Sequence, residues 1–266
     1  MSSSLRIGIV GGAGWLGSAI AGAIIDAKVL KPKDLTLSYR SKPSTLFPNA
    51  KWTMDNEELA SRSDVLILSV RPGDWDQLHL NAQGKLVISV MPGIRVDELR
   101  LRHNTARVVR CMPNAATAVQ MSYTPWFTSS AVSPPDRTLT RLILGTCGLE
   151  DEVHNEYDLD YFTGLSGAGP AFPAMLGSLM IDEAVAHGIS SRLAERAVKA
   201  VLIGTGRLLD RTAASPKDMI ESFINYRGTT EAAIKAMLVA DIDLIIAKGL
   251  SAAYFKSLSR EATSEN

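Results

Sequence analysis

The sequence predicts an α/β fold in two parts, a doubly wound sheet in the N-terminal half and an all-α domain after it. Three observations carry that reading. Residues 5–20 run from an apolar stretch, residues 7–10, through Gly12-Ala13-Gly14-Trp15-Leu16-Gly17 into an Ala-rich apolar segment, residues 18–25. Apolar runs at 64–70, 85–90 and 107–111 each end in a loop containing Pro or Gly, as parallel strands covered on both faces do. From Gly169 to Ser259 no strand pattern remains.

The first of these is the most informative. Strand, then G-x-G-x-x-G, then helix is the context in which the glycine pattern marks a dinucleotide site of Rossmann type. Gly12 is expected to make the tight turn. Gly14 is expected to leave room for a pyrophosphate against the backbone, and Gly17 to let the helix pack close to the strand. The free N–H groups of the helix's first turn would then face the anion.

Size and composition agree with a globular chain of two domains. There are 266 residues, enough for two domains, and 46% of them are hydrophobic. The 28 basic and 28 acidic residues cancel, so no nucleic-acid or membrane-surface partner is expected. Cys111 and Cys147 make no C-x-x-C and are expected as two core thiols. His79, His103, His154 and His187 are scattered without metal-ligand spacing. No signal peptide is read at the N-terminus, and the longest apolar stretch, residues 168–181, is too short to span a bilayer. The expectation is a soluble cytoplasmic protein.

A second strand is expected at 34–38. In NAD-binding sites an acid usually ends this strand and holds the ribose hydroxyls. Here the strand runs out through Ser38-Tyr39-Arg40-Ser41-Lys42, with no acid. Arg40 as a planar fork and Ser41 as a donor suit a 2′-phosphate, which points to NADP(H), with NAD(H) possible. A solvated basic turn is the alternative. Helices are expected at 57–62, 74–80, 96–103 and 138–145, and further strands at 122–128 and 149–153. The N-terminal domain is assigned residues 1–157 and the helical domain residues 158–266.

In the second half, helices are expected at 170–187, 191–211, 216–223, 229–238 and 242–259. Pro170 and Pro216 suit a first helical turn, and Gly188 a left-handed C-terminus with His187 as capping cation. The segment 170–186 is apolar on more than one face, which in so small a domain suggests a subunit interface.

Two loops there could carry chemistry. Gly164-Leu165-Ser166-Gly167-Ala168-Gly169-Pro170 could pass close to a ligand with Ser166 as donor, or simply turn between domains. Asn225-Tyr226-Arg227-Gly228-Thr229-Thr230-Glu231 precedes a helix. Its glycine and threonines could receive an anion, or a threonine could cap the helix with support from Glu231.

At these motifs the chain resembles the pyrroline-5-carboxylate reductases, nearly end to end. The resemblance rests on Gly12-Ala13-Gly14-Trp15-Leu16-Gly17, Asp55-Asn56, Ser69-Val70-Arg71-Pro72, Ser89-Val90-Met91-Pro92-Gly93, Val109-Arg110-Cys111-Met112-Pro113-Asn114, Gly164-Leu165-Ser166-Gly167-Ala168-Gly169-Pro170-Ala171 and Arg227-Gly228-Thr229-Thr230. It implies a reductase of a cyclic imino acid that uses NAD(P)H, with a homodimer formed through the C-terminal helices and higher oligomers possible. It places Asn56 and residues 38–41 by the adenosine, with Val70, Arg71, Pro72, Pro113 and Asn114 along the cofactor. It places Gly228, Thr229 and Thr230 at the substrate carboxylate, with Thr230 beside the ring nitrogen as hydrogen-bond partner or proton relay; Asn225 and Arg227 of the same loop are taken as substrate-binding, Arg227 for a second carboxylate or a larger side chain, or else turned to solvent. The family's substrate loop usually reads Ser-Pro-Gly-Gly-Thr-Thr. Tyr226 and Arg227 replace its Pro and Gly, Ala168 replaces a Ser and Pro92 an Ala, so the imino acid itself is left open.

Two other readings fit part of the chain. A related NADP-dependent dehydrogenase of a hydroxy or oxo acid would need a base for the hydroxyl, and no histidine is placed for that. A binding protein that keeps NADP without turnover would account for the altered loop.

Overall fold

The computed structural model describes residues 4–258. By contact density the chain divides into two compact units, one through Ala168 rejoined from Ala253 onward, the other Gly169–Ala252.

The first unit is built on an eight-stranded sheet. Its strands are β1 (Ile7–Val10), β2 (Leu35–Ser38), β3 (Lys51–Thr53), β4 (Val65–Leu68), β5 (Leu86–Ser89), β6 (Arg107–Cys111), β7 (Ser122–Thr128) and β8 (Gly148–Glu152), in the order β3-β2-β1-β4-β5-β6-β7-β8. All neighbours pair in parallel except β6 with β7. Residues of β1, β2, β4 and β5 are buried throughout, which is why β1, β4 and β5 read as near-continuous apolar runs. Strand alternation still sorts them by face. Ile7, Ile9, Val65, Ile67, Leu86 and Ile88 join one core with helix α1 (Trp15–Asp26). Val10, Leu66, Leu68 and Val87 join another with α2 (Asn56–Ser61) and α3 (Val96–His103).

The structure adds two short elements and changes three expectations. Strand β3 is an edge strand of three residues, exposed at Lys51 and buried only at Thr53, too short to show a pattern. The helix expected at 74–80 is a 3-10 stretch, Pro72–Gln77, wound around buried Trp75. The segment 115–119 is a further 3-10 turn opened by Asn114. The loop expected at 164–170 is mostly a π turn, Thr163–Gly167, that continues α5 (Glu156–Phe162). Helix α4 (Pro134–Gly145) starts earlier than expected, because Ser133 and Asp136 form a capping box ahead of its prolines. Cys111 and Cys147 are both free and buried, and burial pushes both thiols up.

The starts of β1 and β4 are tied by Arg6 and Asp64. The Arg6 guanidinium donates to both Asp64 oxygens, at 2.7 and 3.1 Å, and the Arg6 N–H adds a third bond at 3.0 Å. The guanidinium hydrogen bonds hold the Asp64 carboxyl below its ordinary range, against the opposing pull of partial burial. Both side chains are nearly half exposed, so Asp64→Asn should cost up to about 1 kcal/mol. A depressed folded pKa stabilises only above the unfolded value of about 3.9, and the contribution fades as pH falls through the folded one. Urea titrations at neutral pH and in acid should therefore show a gap that closes in acid; an equal gap at both would refute the assignment.

The second unit is helical: α6 (Ala171–Ala186), α7 (Ser191–Arg211), α8 (Pro216–Tyr226), α9 (Thr229–Val239) and α10 (Ile242–Leu258), the last turns of which belong to the first unit. The expected end of α10 at Ser259 lies outside the described residues. Helices α6 and α7 approach closely at Gly177, where a Cβ would stand 3.0 Å from Leu202. Gly188 takes the left-handed turn expected of it, at φ +86°, and His187 Nδ1 lies 3.0 Å from the Glu183 carbonyl. Along α6 only Gly177 is buried, while Met175, Leu176, Leu179 and Met180 are 40–60% exposed. The apolar surround of this helix is therefore not covered by other described residues.

Candidate functional site

Doubly wound sheets bind ligands where the strand order reverses, beyond the carboxyl ends of the strands. Here that place lies between β1 and β4, and a cleft of about 830 Å³ opens there. Its walls come from the end of β1 and the turn after it (Val10, Gly11, Ala13, Gly14), the end of β2 and the segment after it (residues 38–45) and the segment after β4 (Ser69, Val70, Arg71). Met54, Asn56, Asp74, Gln77 and Leu78 complete it.

The glycine turn is built differently from expectation in one respect. The left-handed residue is Gly11, at φ +75°, not Gly12; a Cβ on Gly11 would stand 2.2 Å from the Ser69 carbonyl oxygen. Gly12 packs instead on Leu37, 2.8 Å from where its Cβ would be. Gly17 packs on the turn itself, its Cβ position 2.5 Å from the Gly11 carbonyl oxygen. Gly14 is the N-cap of α1, exposed, with no side chain capping the helix and no acid in the first turn. The amides of Trp15 and Leu16 thus begin an uncapped helix at the cleft, an arrangement suited to an anion. The Trp15 side chain is itself 60% exposed, and Leu16 leans on the core.

Of the cofactor residues expected from sequence, Ala13, Gly14, Ser38, Tyr39, Arg40, Ser41, Asn56, Val70 and Arg71 line this cleft. Ser38 is buried and its hydroxyl accepts the Gly11 N–H at 3.0 Å, so it shapes the turn. Tyr39 is braced edge-on by Trp52, ring centres 6.1 Å apart. The Arg40 guanidinium meets Asp74 at 3.1 Å. Asn56 Oδ1 is buried without a hydrogen-bond partner, an unmet acceptor in the cleft wall. Pro72, Pro113 and Asn114 are not among the lining residues. Asn114 is committed locally: its Oδ1 accepts the Ala116 N–H at 2.9 Å and its Nδ2 donates to the Ser166 carbonyl at 2.9 Å. Ser166, expected as a free donor, gives its hydroxyl to the Phe162 carbonyl at 3.1 Å.

In the helical unit, Asn225 lies in the last turn of α8, and Arg227 closes that helix in the left-handed conformation at φ +55°. Gly228 is the N-cap of α9, with no side chain capping it, and Thr229 and Thr230 are the first two helical residues. The threonine cap weighed from the sequence is therefore not what forms. Glu231 is turned to Lys235, 2.7 Å away, rather than back to the helix start. Tyr226 is 86% exposed.

Sequence reading missed a buried ionic cluster in the first unit. Arg110 on β6, fully buried, donates to Glu156 at 2.6 Å and to Asp160 at 3.1 Å, both on α5. Arg95 completes it, 2.9 Å from the second oxygen of Asp160 and stacked on Tyr157 at 4.9 Å. The cluster fixes α5, and with it the π turn that Asn114 holds. Also missed were Asp74, Gln77 and Met54 in the cleft. Among the described residues no His, Cys, Asp and Glu group could hold a metal, and no helix is long and apolar enough to cross a membrane.

Comparison with known proteins agrees with this layout. A family model described as pyrroline-5-carboxylate reductase dimerisation matches residues 156–259, and one described as NADP oxidoreductase, coenzyme F420-dependent, matches residues 6–93. The chain is 26% identical to the pyrroline-5-carboxylate reductase of Synechocystis, over 96% of this chain and 97% of that one. A solved pyrroline-5-carboxylate reductase from Coxiella burnetii superposes with a TM-score of 0.85 at 25% identity, covering 98% and 100% of the two chains. The Plasmodium falciparum pyrroline carboxylate reductase solved with NADP bound shares the fold, with a TM-score of 0.84 at 23% identity over 97% and 98%.

Proposed function

Because the chain belongs to the pyrroline-5-carboxylate reductase family, we propose that it reduces a cyclic imino acid, pyrroline-5-carboxylate to proline, with NADPH preferred over NADH. The observation that carries the proposal is the cleft at the strand-order reversal, basic where NAD sites are acidic, in a chain whose helical half is matched by that family. The residues present fit the dinucleotide. Gly14 and the uncapped start of α1 suit a pyrophosphate, Arg40 and Ser41 a 2′-phosphate, and the unpartnered Asn56 oxygen a hydroxyl or amino donor of the adenosine. The bound cofactor supplies a hydride.

The chain's own task is to bind the imine, orient it and manage one proton. Reduction of C=N leaves an electron pair on nitrogen, which must gain or already hold a proton. The helix start at Gly228-Thr229-Thr230 offers N–H groups and the Thr229 hydroxyl for the substrate carboxylate, and the Thr230 hydroxyl is assigned to the ring nitrogen. Asn225 and Arg227 flank that start in sequence and are assigned to the same end of the substrate. Cofactor binding is assigned to residues 1–157, and substrate binding and dimerisation to residues 158–266. The exposed apolar residues of α6 are assigned to a homodimer, and the free buried thiols suit a reducing cytoplasm.

The test is a panel of imines, with NADPH and NADH oxidation run in parallel on pyrroline-5-carboxylate, its 2-carboxylate isomer and six-membered cyclic imines. Turnover of pyrroline-5-carboxylate with NADPH ahead of NADH is the expected result. Tyr226 and Arg227 stand where the family has Pro and Gly, so turnover confined to a larger or doubly charged imine would move the substrate assignment while leaving the chemistry. No turnover of any imine would overturn it.

A further inference from the structure

We propose that Asp74 sets how strongly the protein favours a 2′-phosphorylated dinucleotide, by competing with that phosphate for Arg40. The inference rests on the cofactor reading above. Among the described residues that line the cleft, Asp74 is the one carboxylate, set against Arg40, Lys42 and Arg71. Its Oδ1 accepts from Arg40 Nη1 at 3.1 Å, so the cation expected to meet the phosphate is already engaged by an anion of the opposite wall.

The two partners are held unequally. The Asp74 N–H donates to the Arg71 carbonyl at 2.9 Å, which fixes the turn that carries the carboxylate. The next residue, Trp75, is 3% exposed, lies under the Arg102 guanidinium at 4.5 Å and meets the His103 ring edge-on. The Arg40 side chain is 83% exposed on its long flexible stem. In this pair the carboxylate is therefore the fixed member and the guanidinium the movable one.

A phosphate monoester carries about −1.5 to −2 charges near neutral pH and three acceptor oxygens, so it outbids a single carboxylate for an arginine fork. Gripping it nevertheless forfeits the Asp74 bond and leaves Asp74 facing a new anion. A cofactor with a plain 2′-hydroxyl presents no such contest, and the pair persists. Asp74 thus narrows the gap between NADPH and NADH, in a site whose cations alone would widen it.

The experiment measures Kd for NADPH and for NADH by calorimetry on the wild type, Asp74→Asn, Arg40→Ala and the double variant, with thermal melts as a check on folding. Asp74→Asn is expected to tighten NADPH about two- to fivefold, the span that exposed ion pairs support, and to tighten NADH by less. Arg40→Ala is expected to weaken NADPH and to remove the gain from Asp74→Asn. A gain that survives in the double variant would show simple repulsion by Asp74 rather than competition for Arg40, and would overturn the proposal. So would unchanged or weaker NADPH binding by a folded Asp74→Asn protein. Failure of the cofactor reading shows differently, as a wild type that binds neither nucleotide, and it brings down both.

Discussion

Arg110→Met should destabilise the sheet unit by about 3–5 kcal/mol, the usual cost of removing one member of a buried ion pair. Arg110 is fully buried, and its loss leaves two carboxylates, Asp160, 3% exposed at its side chain, and Glu156, 19% exposed, to the single cation of Arg95. Arg95 keeps its contact with Asp160 at 2.9 Å, but it reaches Glu156 only at 3.7 Å and is itself one-third exposed, so one buried negative charge stays uncompensated. Met has a similar length and no charge, so the effect is electrostatic rather than a cavity. For a protein of this size the loss corresponds to a melting point lower by roughly 6–20 °C. Adding Asp160→Leu should recover part of it, since the uncompensated charge is then gone, leaving Glu156 to Arg95. Thermal and urea melts of the single and double variants decide the matter. A single variant as stable as the wild type would mean that the carboxylates find water or protons instead, and that the cluster is not a structural tie.

That cluster also shows what a sequence conceals. Arg110 lies 46 and 50 positions from its partners Glu156 and Asp160, and nothing local marks it among the apolar residues of its strand. Strands β1, β4 and β5 were legible because burial on both faces leaves continuous apolar runs. The same logic fails for β3, an edge strand of three residues, and says nothing about direction, so the antiparallel step from β6 to β7 went unread. The glycine motif announced the dinucleotide turn but not which glycine bears the left-handed angle; Gly11 does, because the Ser69 carbonyl leaves no room for a Cβ there. Asp74 was overlooked for a related reason. It sits on the second wall of the cleft, 34 residues from Arg40, and the cleft exists only once β1 and β4 are side by side. The Gly228-Thr229-Thr230 helix start was legible, since a glycine and hydroxyls before an apolar periodic run signal a helix N-terminus whichever residue caps it.

Thr230→Val should lower kcat/KM for the imine substrate about 10²- to 10⁴-fold, the span of a lost general acid–base contact. Valine keeps the β-branched shape at the second residue of α9 and removes only the hydroxyl, so the helix start and the melting point should stay as they are. The division between kcat and KM then identifies the role. Loss in kcat and kcat/KM together means that the hydroxyl acts on the nitrogen as charge develops there; a rise in KM with kcat intact means that it only binds the carboxylate. Thr229→Val provides the contrast, because that residue is assigned to the carboxylate alone and should raise KM with little change in kcat. Dissociation constants for NADPH should be the same in both variants, since neither threonine lines the nucleotide cleft. If Thr230→Val turns over within twofold of the wild type, the proton does not pass through this hydroxyl. The nitrogen would then have to arrive already protonated, with the helix start serving only to hold the acid group.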